Sequence, residues 1–159
     1  MPHVLLVMRH AKSTSDTIGL PDLERQLTRN GKADAERLGT ELATRNLVPG
    51  IICCSPAKRA RVTAKRVAHC SGYSDEVQVV EALYMRGAKA YLRVITDWAD
   101  ECTCGMVIGH NPDVSSLVQL LTGVQVELAT AAIAVIQVPA DHWAGIETLP
   151  LCKLGEILN

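Results

Sequence analysis

The chain reads as an α/β protein built on a mostly parallel sheet. Three observations predict this. Short apolar runs alternate with helix-period segments along the whole sequence, no repeat or long linker interrupts them, and one strand–cap–helix transition occurs twice, at Ser55-Pro56 and at Asn111-Pro112. With 159 residues and 48% hydrophobic content, one domain over residues 1–159 is expected to fold around one buried core.

The expected strands, in order, are Val4–Met8, Gly50–Cys53, Val77–Val80, Met106–Ile108 and Ala132–Val138, with a weaker edge strand near Gly145–Leu149. Between the first two, Thr28 is placed to cap a helix over about Arg29–Arg45, whose Ala35, Leu38, Leu42 and Ala43 share one face. Pro49 blocks its continuation. Ser55-Pro56 pairs a capping residue with a proline suited to a first helical position, which predicts a helix to about Cys70. A third helix is expected over Ala88–Trp98, and a fourth from Asn111-Pro112 to about Leu121. Ala129–Val138 reads as sheet core rather than as an interface.

Sixteen basic residues against seventeen acidic leave no bulk field for nucleic acid or an anionic membrane, so any phosphate recognition must be local. The apolar start, Val4–Met8, is too short for a signal-peptide core or a membrane span, so a cytoplasmic protein is expected. The six cysteines form no CxxC pair and read as reduced thiols; Cys102-Thr-Cys104 is too weak a pattern to assign to a metal.

Parallel sheets bind ligands beyond the carboxyl ends of their strands, which singles out the residues after Met8, Cys53 and Ile108. Arg9-His10 follows the first. After the second, Lys58, Arg59 and Arg61 crowd the start of a helix, where the dipole disfavours each cation by about 0.3–1 kcal/mol. A bound phosphate would offset this, and of the three Arg59 is the candidate ligand. His110 follows the third strand behind Gly109, which permits a close approach. Two histidines and two arginines converging on one cleft form the inventory of phosphoryl transfer: a nucleophile and an electrostatic clamp.

Four segments carry a further signal: Arg9-His10-Ala11-Lys12-Ser13; Asp22-x-x-Arg25-x-Leu27-Thr28-x-x-Gly31; Ser55-Pro56-x-x-Arg59-Ala60-x-x-Thr63-Ala64; and Gly109-His110-Asn111-Pro112. In these, over about the first 120 residues, the chain resembles the histidine phosphatase superfamily, also called phosphoglycerate mutase-like, and within it the short SixA-type phosphohistidine phosphatases. The resemblance implies a three-layer α/β sandwich with a mixed central sheet and no required metal or organic cofactor. It implies His10 as the nucleophile, Arg9 and Arg59 as phosphate ligands and His110 as the second pocket histidine. Ala11 stands where the commonest form of the motif has glycine, a change that points toward the SixA-type branch.

The expected reaction is a phosphatase reaction through a phosphohistidine on His10, with phosphohistidine of a partner protein as substrate. A phosphorylated imidazole leaves with little help once its distal nitrogen is protonated, and the chain has no room for long insertions that would roof a small substrate. The alternative enzyme acts on a small phosphorylated metabolite, with Glu81 in Val80-Glu81-Ala82-Leu83-Tyr84 as general acid and Asp22 as a second candidate. A third reading is a phosphate-binding module without turnover, against which an intact His10 argues. Oligomeric state is not readable.

Overall fold

The computed structural model describes residues 2–15, 19–148 and 151–159. Six strands, β1 (His3–Arg9), β2 (Ile51–Cys54), β3 (Gln78–Val79), β4 (Cys104–Gly109), β5 (Ile133–Val138) and β6 (Lys153–Leu158), form one mixed sheet in the order β3-β2-β4-β1-β5-β6. β1, β2, β3 and β4 run parallel; β5 is antiparallel to β1, and β6 to β5.

Strand periodicity divides the interior in two. In β1, Leu5 and Val7 face one way and Leu6 and Met8 the other, and all four are fully buried. Leu6 and Met8 pack with Ala35, Leu38 and Leu42 of α1 (Arg29–Thr44) and with Ala64 and Val67 of α2 (Lys58–Ser71). Leu5 and Val7 join Tyr91 and Ile95 of α3 (Ala88–Thr96) and Val114 and Leu117 of α4 (Asp113–Thr122). Helices on both faces of the sheet make the three layers that the family resemblance implies.

Thr28 caps α1 as expected, its Oγ1 accepting from Gly31 N at 3.0 Å. Two other caps differ. α2 begins at Lys58 behind Ala57, and Ser55 instead accepts from Ala57 N with its Oγ at 3.2 Å, which frees its hydroxyl to face the cleft. α4 begins at Asp113 behind Pro112, after a cis Asn111–Pro112 bond. Asn111 spends its amide on Leu128 O (2.8 Å) and accepts from Ser115 Oγ (2.6 Å), so it braces the turn rather than capping the helix.

The expected edge strand at Gly145–Leu149 is corrected. Ile146–Thr148 is a single 3-10 turn that buries Ile146, Gly145 before it takes a φ of 73°, and Leu149 lies outside the described residues. The edge strand is β6, whose Lys153 and Glu156 are exposed, as suits a strand with one free edge. β3 is also shorter than expected, and both its residues are exposed.

Gly109 ends β4 where the Tyr91 side chain comes so close that a Cβ would collide with its hydroxyl and ring. Tyr91 is held there by donating to Leu83 O at 2.9 Å, and its oxygen accepts from His110 N at 3.4 Å. Gly109→Ala is therefore expected to lower unfolding free energy by about 1–3 kcal/mol in urea titrations. Unchanged stability would show that Tyr91 yields without cost.

Candidate active site

The register of the sheet brings the candidate residues together. Arg9 is paired with Gly109 and Cys54 with Ile108, so His10, Ser55 and His110 leave the sheet side by side. Backbone bonds continue the pairing past the strands, from His10 N to Gly109 O (2.9 Å) and from Ser55 N to Ile108 O (3.1 Å).

His10 is buried, and its Nδ1 lies 2.7 Å from the carbonyl oxygen of Ala11. A carbonyl only accepts, so Nδ1 carries the proton and Nε2 the lone pair. Burial lowers the His10 pKa to about 4; the Ala11 carbonyl opposes this, and the charges of Arg59, Arg9 and Arg25 add to the lowering. The ring is thus neutral at physiological pH.

His110 stands beside it, with ring centroids 5.2 Å apart. Its Nε2 is 2.7 Å from Ser55 Oγ and its Nδ1 3.3 Å from Arg59 Nη2. Because a guanidinium only donates, Nδ1 accepts and Nε2–H donates to Ser55, the opposite tautomer to that of His10. Burial, then His10 and Arg59, push its pKa down to about 3.

Arg59 is buried, in the first turn of α2. Its Nη1 donates to Asp22 O (2.7 Å) and its Nη2 to Asp22 Oδ2 (3.0 Å). Arg9 donates through Nη1 to Leu128 O at 3.1 Å. Both guanidiniums keep a buried Nε–H with no partner among the described residues, as do His3 Nδ1 and Trp98 Nε1 on other parts of the fold. Unpaired charged donors beside a cleft favour an anion. Beside His110 lies a cavity of about 240 Å³, lined by Met85, His110, Asn111, Pro112 and Asp113, with His10 and the two arginines outside its lining. A cavity of about 400 Å³, which includes Leu92, Leu120 and Leu151, contains none of these site residues, and one of about 440 Å³ shares only Asn111 and Pro112 with the rim beside His110.

Of the residues predicted from sequence, His10, Arg59 and His110 are in direct or ring contact, and Arg9 adjoins them by its charge on His10. Asp22 sits on Arg59. Tyr84's hydrogen bond, with those of Arg59 and Arg25, outweighs burial and lowers the Asp22 pKa to about 2, so Asp22 is ionised. Glu81 is exposed at the start of the 3-10 turn Glu81–Leu83, and no described hydrogen bond or ion pair joins it to the pocket. From that segment it is Tyr84 that reaches the site. Its hydroxyl donates to Asp22 Oδ2 at 2.6 Å, and its ring meets His110 edge-on at 5.5 Å. Ser55, Tyr84 and Arg25 are the residues that sequence reasoning did not assign to the pocket. Ser55 and Arg25 lie inside the quoted motifs, whereas Tyr84 carries no local signal. Among the described residues, neither Lys58 nor Arg61 has a side-chain hydrogen bond or ion pair to the site residues; Arg61 Nε donates to Pro56 O. Among the described residues there is no cluster of three metal-ligating side chains.

The family model of the histidine phosphatase superfamily (branch 1) matches residues 5–91, more than half of the chain. The chain belongs to the histidine phosphatase superfamily. The matched stretch contains Arg9, His10, Asp22 and Arg59, and the phosphatase reading of the motifs therefore holds at the level of the family. An uncharacterised protein of Mycobacterium leprae is 33% identical over 156 residues, covering 88% of this chain and 92% of that protein. An uncharacterised chloroplastic protein of Arabidopsis thaliana is 28% identical over 148 residues, covering 87% and 68%. Among solved structures, a candidate phosphohistidine phosphatase SixA from Nakamurella multipartitia superposes with TM-score 0.87 at 22% identity, over 100% of this chain and 96% of that one. The protein histidine phosphatase SixA in complex with tungstate gives 0.80 at 23%, over 98% and 96%. A mycobacterial glucosyl-3-phosphoglycerate phosphatase gives 0.68 at 14%, over 97% of each. These likenesses establish the histidine phosphatase fold, which carries more than one substrate class.

Both pocket histidines are neutral when folded but titrate near 6.5 when unfolded. From about pH 6.5 down to about 4 for His10, and to about 3 for His110, the unfolded chain binds more protons. Stability is therefore complete above the window and lost as pH falls through it. Urea midpoints are expected to drop from about pH 7 to about pH 4.5, with a flatter slope in His10→Asn. An identical slope in that variant would show that His10 is not held neutral.

Proposed function

We propose that residues 1–159 act as one catalytic domain that moves a phosphoryl group from phosphohistidine of a partner protein to His10 and then to water. The observation that carries this is the hydrogen bond from His10 Nδ1–H to Ala11 O in a buried ring. It leaves Nε2 as a neutral nucleophile beside guanidiniums able to clamp an oxyanion.

In this reading Arg9 and Arg59 bind the phosphoryl oxygens, and Arg59 gives up part of its hold on Asp22 and His110 to do so. With Arg59 turned to the phosphoryl group, His110 takes the other tautomer by losing its Nε2 proton to water and gaining one on Nδ1 from water; the Ser55 hydroxyl then donates a hydrogen bond to the bare Nε2, and His110 presents Nδ1–H to the transferring group. Nε2 of His10 forms the new bond to phosphorus as the bond to the leaving nitrogen breaks. Water next attacks the phosphoenzyme, its protons staying with the released phosphate, and His10 leaves as neutral imidazole with its Nδ1–H still donated to the Ala11 carbonyl.

The phosphohistidine assignment is supported by the proton supply. Asp22 is ionised, hydrogen bonding to Asp22 raises the Tyr84 pKa, and Glu81 has no described tie to the pocket, so help for an alkoxide leaving group is poor. The mouth is also open: Met85 is 77% exposed at its rim, which suits a histidine borne on another protein. Similarity to a structure described as a protein histidine phosphatase points the same way. A small phosphate ester is the second reading, favoured by the shared fold of the glucosyl-3-phosphoglycerate phosphatase. A cytoplasmic setting fits six cysteines that are all free. Among the described residues no helix is long and apolar enough to cross a membrane.

The test is labelling by a phosphodonor. Wild type is expected to acquire an acid-labile label that is absent in His10→Ala, and Arg59→Ala to lower kcat about 100–1,000-fold. Turnover without label, or label persisting in His10→Ala, overturns the nucleophile. A panel of phosphohistidine protein, sugar phosphates and nucleotides decides the substrate class.

A further inference from the structure

The Asp22 carboxylate has three partners: Arg59 Nη2 and the Tyr84 hydroxyl on Oδ2, at 3.0 and 2.6 Å, and Arg25 Nε on Oδ1 at 3.0 Å. Its side chain is nonetheless 48% exposed, against 5% for the Arg59 it touches. The carboxylate therefore stands at the solvent-exposed end of the Arg59 guanidinium, while Arg59 and His10 are themselves buried. The groups that face it are Arg59 from α2, Arg25 from its own turn, Tyr84 after the second 3-10 turn, and His110, whose ring adjoins Tyr84 and feels its charge. A carboxylate has about four acceptor positions, and three are taken, which leaves Oδ1 able to accept once more.

A fixed anion beside a site for phosphate carries a repulsive cost, and the leaving group decides whether anything offsets it. In-line transfer puts that group across phosphorus from His10, on the side of the open mouth. An ester gathers negative charge on the departing oxygen, which Asp22 opposes. A phosphorylated imidazole must instead be protonated at its distal nitrogen, and a carboxylate favours that form.

We propose that Asp22, held in place by Tyr84, is a specificity-determining residue that accepts a hydrogen bond from the distal N–H of a phosphohistidine substrate. The inference rests on the phosphohistidine reading given above. The step balances without an added acid. The P–N pair returns to the substrate ring, the distal nitrogen keeps its proton, and neutral imidazole departs while Nε2 of His10 bonds phosphorus. Asp22 thus does for the substrate ring what the Ala11 carbonyl does for His10. The acidity of Asp22 fits, since a group ionised down to about pH 2 serves as an anion and not as a proton donor.

The experiment compares kcat/KM against pH for N-phosphohistidine and 4-nitrophenyl phosphate in wild type, Asp22→Asn and Tyr84→Phe. In Asp22→Asn the phosphohistidine profile is expected to fall off about one pH unit earlier, with about tenfold loss at mildly alkaline pH, while the aryl phosphate rate rises. Tyr84→Phe, which keeps the carboxylate, moves the ratio of the two substrates less, in the same direction, and carries the test if Asp22→Asn does not fold. An equal fall for both substrates with unshifted profiles would make Asp22 only a support for Arg59 and overturn the inference. Wild type that hydrolyses the ester but not N-phosphohistidine would overturn the substrate reading itself.

Discussion

The hydrogen bond from His10 Nδ1 to the Ala11 carbonyl fixes which nitrogen of the central histidine is free, and the neighbouring chain is arranged around it. Ala11 N donates to Thr63 Oγ1 at 3.0 Å, and that hydroxyl donates to Arg59 O at 2.7 Å. The loop that holds His10 is thus pinned to the helix that carries Arg59. One residue on, Lys12 O accepts from Thr28 N at 2.9 Å and packs against Gly31, where a Cβ would overlap it. The first turn of α1 therefore closes on the same loop.

Electrostatics follows from that packing. Two imidazoles buried among Arg9, Arg25 and Arg59 cannot both charge, so each is held neutral with a different nitrogen protonated, one against Ala11 and the other against Ser55. Positive charge in the cleft resides on guanidiniums, and the Asp22 carboxylate pairs with two of them, Arg25 and Arg59. The arrangement separates two tasks: the arginines supply charge, and the histidines supply a lone pair and a directed proton.

Much of this is legible in the sequence because it depends on short-range order. Strand ends at Met8, Cys53 and Ile108 can be read from apolar runs, and a parallel sheet brings them to one edge. Thr28, Gly31 and Thr63 belong to the quoted motifs for a physical reason, since each touches the backbone of residues 11–12. What the sequence does not disclose is long-range. Tyr84 reaches Asp22 across 62 positions, and no local pattern marks an aromatic residue for that contact. Ser55 reads as a helix cap, yet its oxygen serves Ala57 and His110 instead. β6 goes unread because an edge strand with Lys153, Gly155 and Glu156 lacks the alternation of a buried one, while Ile146 imitates it from a 3-10 turn.

The pocket holds His10 neutral, with its proton on Nδ1 and the lone pair on Nε2. Long-range nitrogen–proton NMR of the histidine rings, followed from pH 8 to about pH 5, reads this directly. The His10 ring is expected to stay in the Nδ1–H tautomer throughout, because burial lowers its pKa to about 4. A His10 ring protonated on both nitrogens at pH 6, or carrying its proton on Nε2, would contradict it.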